Sequence, residues 1–68
     1  MLNVDKIRGR MAERRITQQD VARALDLAPA TVSQKLSRVR PMNLDEAEKL
    51  ATLLGITDAE FGEFFFAR

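Results

Sequence analysis

Apolar residues along this chain recur three and four positions apart, the spacing that puts them on one side of an α-helix. Val4, Ile7 and Met11 form one such set, Val21, Ala22 and Leu25 a second, and Val32 with Leu36 a third. Leu44, Ala47, Leu50, Ala51 and Leu54 form the longest stripe, and Phe61, Phe64 and Phe65 close the series. No run of β-branched residues alternates with polar ones, so strands are not expected. Polar residues punctuate the sets as helix starts. Asn3, Thr17, Asn43 and Thr57 each stand directly before a periodic segment, where a side-chain oxygen can cap the first free N–H groups. Asp20, Glu46 and Glu60 sit three residues beyond the last three of these, as in a capping box. The apolar pairs Leu2–Ile7, Ile16–Val21 and Ile56–Phe61 bracket three starts as hydrophobic staples.

The breaks are equally local. The first helix is expected to end near Arg14 or Arg15, with Gly9 a mild weakness inside it. The second runs from Gln18 to Leu25 and stops at Asp26–Leu27. Pro29 suits a first helical turn and is poor later, which starts the third helix at Ala28. Pro41 disfavours helix at Arg40, so Ser37–Met42 is expected as loop. Gly55 is a natural left-handed stop for the fourth helix. The expected fold is all-α: a compact bundle of five short helices forming a single domain over residues 1–68, without linker or internal repeat.

Composition narrows what such a bundle can do. The chain has 68 residues and contains neither cysteine nor histidine. That removes disulfides, thiolate chemistry, the usual general base and the usual zinc ligand. So short a chain also leaves little to wall off a ligand pocket, typically about 300 Å³ or more. An enzyme is therefore not expected, nor a cofactor, a metal or a small-molecule ligand. At 46% hydrophobic and 31% charged residues the chain is too apolar for a disordered tail. No apolar run approaches the roughly 20 residues of a membrane helix, and MLNVDKIRGR lacks the apolar core of a secretory signal. A cytoplasmic location without membrane contact is expected. The net charge of +1 conceals a division. Residues 1–43 hold nine basic and four acidic side chains, whereas residues 44–68 hold two basic and six acidic ones. A basic face on a nearly neutral molecule suits a polyanionic partner, although uneven charge is also common in small helical domains.

Gln18 to Ser37 is the informative stretch: a helix, a turn of about three residues and a second helix, the form taken by helix-turn-helix DNA readers. Ala22 is small where the helices cross, Leu27 is apolar in the turn, and Val32 packs the second helix back on the first. The segment TQQDVARALDLAPATVSQKL resembles the helix-turn-helix of the lambdoid phage Cro and repressor proteins, the Cro/CI or XRE class. The later PMNLDEAEKLATLLGIT is similar to that family's fourth helix, with its leucine stripe and Leu-Gly-Ile ending. The likeness covers roughly residues 4 to 61 and implies a lambda-repressor-like DNA-binding domain whose third helix enters the major groove. Two departures stand out. Asp26 replaces the family's usual turn glycine, and aspartate tolerates the left-handed conformation better than most residues. Ala28-Pro29-Ala30 replaces the usual polar opening of the recognition helix, which moves base reading later along that helix or onto thymine methyl groups.

The resemblance implies roles residue by residue. Gln18 begins the second helix against a phosphate, where its amide and the helix's first N–H groups suit an anion. Thr17 is chiefly a cap, with a second role on the phosphate backbone. Ser33 and Gln34 match positions that face base edges, and an amide such as Gln34's can pair bidentately with adenine. Pro29 and Ala30 are expected to touch thymine methyls. Lys35, Ser37, Arg38 and Arg40 lie towards the groove end of the helix and are the expected phosphate contacts. Only one side of the first helix can face DNA, which leaves Arg10, Arg14 and Arg15 unassigned.

The aromatic tail needs a separate account. Phe61 is expected in the core. Phe64, Phe65 and Phe66 are consecutive and cannot all point inward from one helix. They are the expected dimer interface, joining two copies in solution or only on DNA. The expected partner is double-stranded DNA carrying an inverted-repeat operator, and the expected function is a Cro-like phage or prophage repressor acting by operator occupancy. At this length a ligand-sensing second domain is not expected, unless the chain is a fragment of a two-domain repressor. The alternative from another class is an antitoxin or bridging-type protein-interaction module on the same fold.

Overall fold

The computed structural model describes residues 2–37 and 39–66. Its described residues form five α-helices: α1 (Val4–Glu13), α2 (Gln18–Leu25), α3 (Pro29–Leu36), α4 (Leu44–Leu54) and α5 (Asp58–Phe65). Four starts are capped as the sequence predicts. The Asn3 side chain accepts the Lys6 N–H, and Thr17, Asn43 and Thr57 form full capping boxes with Asp20, Glu46 and Glu60. The third helix is different. Ala28 occupies its cap position without a side-chain bond, and Pro29 opens the first turn.

Three helices end in one way. Arg15, Asp26 and Gly55 take positive φ angles of 55°, 57° and 66°. The residue after each reaches back: Ile16 N–H to the Met11 carbonyl, Leu27 N–H to Ala22 and Ile56 N–H to Ala51, each at 2.9 Å. These are Schellman turns, whose next apolar residue drops onto the core. Ile56 is buried, and Ile16 and Leu27 pack against the core from its edge. Asp26 thus keeps the expected turn without glycine. Arg15 does the same at the end of α1, a bulkier residue in a conformation that disfavours side chains.

The core is one cluster drawn from every helix, with Ile7, Val21, Val32, Leu36, Leu50 and Leu54 fully buried. The second helix packs on both α3 and α4, and α1 packs on α5. Two expectations about apolar residues change. Leu44, expected in the buried stripe of α4, is 59% exposed. As the first helical residue it overhangs the core and borders an open groove of about 460 Å³ with Ala51, Ile56 and Phe61. Phe61 itself is only partly buried, at the edge of the core.

Phe64 and Phe65 are the larger correction, because both are buried inside this chain and so cannot also face a second copy. The α1–α5 contact explains it. The Phe64 carbonyl accepts the Asn3 N–H at 2.8 Å, Lys6 pairs with Glu63 at 2.9 Å and Arg10 pairs with Glu60 at 3.0 Å. The Lys6 and Arg10 cations lie 5.5 and 5.1 Å from the centre of the Phe64 ring. Phe65 stacks on Phe61, with ring centres 4.6 Å apart. Phe66, just beyond the helix, is 61% exposed.

Candidate nucleic-acid interface

The surface of α3 is set by which of its residues the core takes. Val32 and Leu36 turn inward, so Ala28, Pro29, Ala30, Ser33, Gln34 and Ser37 are left exposed. Among the described residues, the side chains of Ser33 and Gln34 make no hydrogen bond within the protein, so their polar ends face outward unpaired. The Gln34 carbonyl, by contrast, organises the turn after α3. It accepts the N–H groups of Val39 at 2.9 Å and Arg40 at 3.3 Å, which folds the chain back at the end of the helix.

The expected phosphate contacts separate into groups. Gln18 lies half-buried in the first turn of α2, with no side-chain bond among the described residues. Arg40 is exposed and has no ion pair among the described residues. These two remain available to an anion. Arg38 lies outside the described residues.

Lys35 is different, and its assignment as a phosphate contact is corrected. Its ammonium bonds Glu46 Oε1 at 2.5 Å, with 12% and 11% of the two side chains exposed. The reason is position, since residue 35 lies three beyond Val32 and adjoins Leu36, on the side of α3 that meets α4. Glu46 Oε1 also accepts the Asn43 N–H at 3.1 Å. Burial pushes the Glu46 pKa up, but the bonds from Lys35 and Asn43 outweigh it and hold it below the ordinary 4.5. The pair ties α3 to the start of α4, so Lys35 holds two helices together.

Two hydroxyl groups are also already engaged. Ser37 Oγ donates to the Ser33 carbonyl at 2.8 Å, a bond back into its own helix. Ser37 is itself exposed, so a phosphate contact would replace this bond. Thr17 Oγ1 donates to Asp20 Oδ2 at 3.0 Å and accepts the Asp20 N–H at 3.2 Å. Thr17 therefore acts as the cap of α2. The Thr17 backbone N–H, then its hydroxyl and Arg23, lower the Asp20 pKa below the ordinary 3.8.

Two arginines of α1, Arg10, which the sequence left unassigned, and Arg8, which it did not single out, take definite places in the fold. Arg10 donates to Glu60 and, at 3.4 Å, to the Leu54 and Gly55 carbonyls at the end of α4. It thus caps one helix and clasps another. Only the tertiary fold brings those groups together. Arg8 is exposed on the outer side of α1, and it borders a depression shared with Leu36 and Ser37 at the end of α3. Its spacing off the Ile7–Met11 stripe marks it as outward-facing, but nothing in the sequence places it beside α3.

Among the described residues no group of three His, Cys, Asp or Glu could hold a metal ion, and no helix is long and apolar enough to cross a membrane. Comparison with curated proteins finds no match, and comparison with solved structures finds none. Residues 6–66 match the family model of the Cro/C1-type HTH DNA-binding domain. With all but a few terminal residues inside that match, and with α2, the Asp26 turn and α3 forming the motif, the chain belongs to the Cro/C1-type helix-turn-helix DNA-binding family.

Proposed function

We propose that this protein is a sequence-specific transcriptional regulator, a Cro-like phage or prophage repressor that acts by occupying an operator with α3 in the major groove. The observation that carries the reading is the exposed face of α3, where Ser33 and Gln34 hold unpaired polar groups within a family that binds DNA. Gln34 pairs with a base edge, Ser33 supports it, and Pro29 and Ala30 approach bases one turn earlier. Gln18 and Arg40 grip phosphates on either side, with Arg8 as a third grip beside the end of α3. Arg38 joins them by its place in the sequence. The protein acts as a cytoplasmic regulator, without catalysis, in a single domain spanning residues 1–68.

The reading includes a homodimer on an inverted repeat. Phe66 is its anchor, with Phe61 5.9 Å away between ring centres. Principal extents of 28 × 23 × 20 Å let two copies lie side by side with recognition helices one DNA turn apart, about 34 Å. The same exposed Phe66 also favours a second reading, an antitoxin-like or bridging module that grips another protein. Salt separates them, because phosphate contacts release counterions and weaken steeply with added salt, whereas aromatic contacts do not.

Selection from a random duplex pool tests the proposal. Retained sequences should contain an inverted repeat with half-site centres about 10 bp apart. A single half-site would remove the dimer and keep the DNA function. No enrichment at moderate salt would contradict sequence-specific binding.

A further inference from the structure

The open groove of about 460 Å³ between α4 and α5 is apolar and acidic at once. Leu44, Ala51, Ile56 and Phe61 line it with carbon, and Leu44 is 59% exposed. Glu48 and Asp58 line it too, and both are exposed. Neither carboxylate takes part in an ion pair among the described residues. Asp58 has a use where it stands, because a negative charge suits the first turn of α5. Glu48 has none. It lies in the middle of α4, where it caps nothing, and its neighbours one turn away are Leu44, Asp45, Ala51 and Thr52, none of them basic. Exposed helix carboxylates gain from a Lys or Arg three or four residues away, and Asp45 has such a partner in Lys49, at 3.2 Å. An exposed apolar surface with a polar rim marks a contact site for another molecule.

We propose that this groove docks a basic amphipathic helix of another protein. Leu44, Ala51, Ile56 and Phe61 receive its apolar side chains, and Glu48 and Asp58 pair with Lys or Arg beside them. The helical form follows from the walls. Among the described residues α4, α5 and the turn between them offer no strand edge, so the occupant must satisfy its own backbone N–H and C=O groups. Charge decides against a second copy of this chain. A two-fold contact through the groove would bring Glu48 and Asp58 of one copy towards those of the other, with like charges facing. The homodimer proposed above is anchored on Phe66, which does not line the groove. No lining residue belongs to α3, and the inference does not rest on the DNA-binding reading.

The test uses the full chain, without DNA, and a displayed library of random peptides of about 15 residues, the length at which an isolated helix begins to hold. Retained peptides should carry apolar residues three and four apart with Lys or Arg beside them. Bound to the chain, they should shift the amide NMR signals of Glu48, Ala51 and Thr52. Glu48→Lys combined with Asp58→Lys should weaken a retained basic peptide about ten-fold, the effect of losing two surface ion pairs. A fresh selection on that variant should enrich acidic peptides instead. If the double variant unfolds, Glu48→Lys alone serves the same purpose. Leu44→Ala, at an exposed position, should weaken binding with the melting curve unchanged. Retained peptides without a basic bias, or amide shifts away from the groove, would overturn the proposal. So would shifts of the same signals with the chain's own concentration, which would make the occupant a second copy. Failure of the duplex selection would overturn the DNA-binding reading and leave this result standing.

Discussion

At the scale of single residues, the instructive cases are charges whose partners lie far away in sequence. Lys35 stands among basic residues near the end of α3, and sequence alone groups it with them. The fold buries it on Glu46 instead. The two roles make opposite predictions. As a positioning residue, Lys35→Ala leaves a buried carboxylate without its cation and should destabilise the protein by about 3 kcal/mol. As a phosphate contact it would leave stability unchanged and reduce the salt slope of DNA binding by about 1. Thermal melts and salt titrations of the one variant distinguish them. Arg15 is the second case. Its positive φ could not be read from the sequence, because nothing local distinguishes it from Arg14. Glycine there removes the cost of a side chain in the left-handed region, so Arg15→Gly should stabilise by about 1 kcal/mol. In a chain of this size that raises Tm by roughly 4–8 °C.

At the scale of helices, most of the fold was legible because the signals are local. Asn3, Thr17, Asn43 and Thr57 lie within three residues of the N–H groups they cap, and the three capping-box carboxylates lie where their spacing predicts. What was not legible depends on how helices meet. The Phe64–Phe66 run shows only that some ring must be exposed. The clasp of α1 on α5 by Arg10 and Lys6 decides which one. The capping carboxylates also set the response to acid. The Thr57 N–H, and after it Arg10, hold the Glu60 pKa below the ordinary 4.5, and Asp20 and Glu46 are shifted the same way. Lowered pKa values in the folded state mean that the unfolded chain takes up protons first as pH falls. Their stabilisation is complete above the ordinary carboxylate range and is lost as pH drops through the lower folded values. Tm should therefore hold from pH 7 to about 5 and fall below pH 4.5. Glu60→Gln keeps a capping oxygen and should shallow that fall. The uncapped start of α3 makes a further prediction: Ala28→Ser supplies the missing oxygen and should add about 1 kcal/mol, read as a shift in denaturant midpoint.

At the scale of the molecule, the charge division in the sequence takes spatial form only in part. Lys6, Arg10, Arg23 and Lys35 are each paired with a carboxylate, so the basic half of the chain is less basic at its surface than its count suggests. The exposed cations without an ion pair among the described residues include Arg8 beside the end of α3 and Arg40 beyond it. Arg40→Ala should weaken binding to all duplexes alike and lower the salt slope by about 1. The central claim is that α3 reads sequence through Gln34. It is tested most directly by the affinities of wild type and Gln34→Ala for the selected operator, for its single-base variants and for a scrambled duplex, at one salt concentration. The account predicts a loss of about 1–3 kcal/mol on the operator, relaxed preference at one base pair, and unchanged affinity for the scrambled duplex. Equal losses on operator and scrambled DNA, or no loss on either, would contradict it.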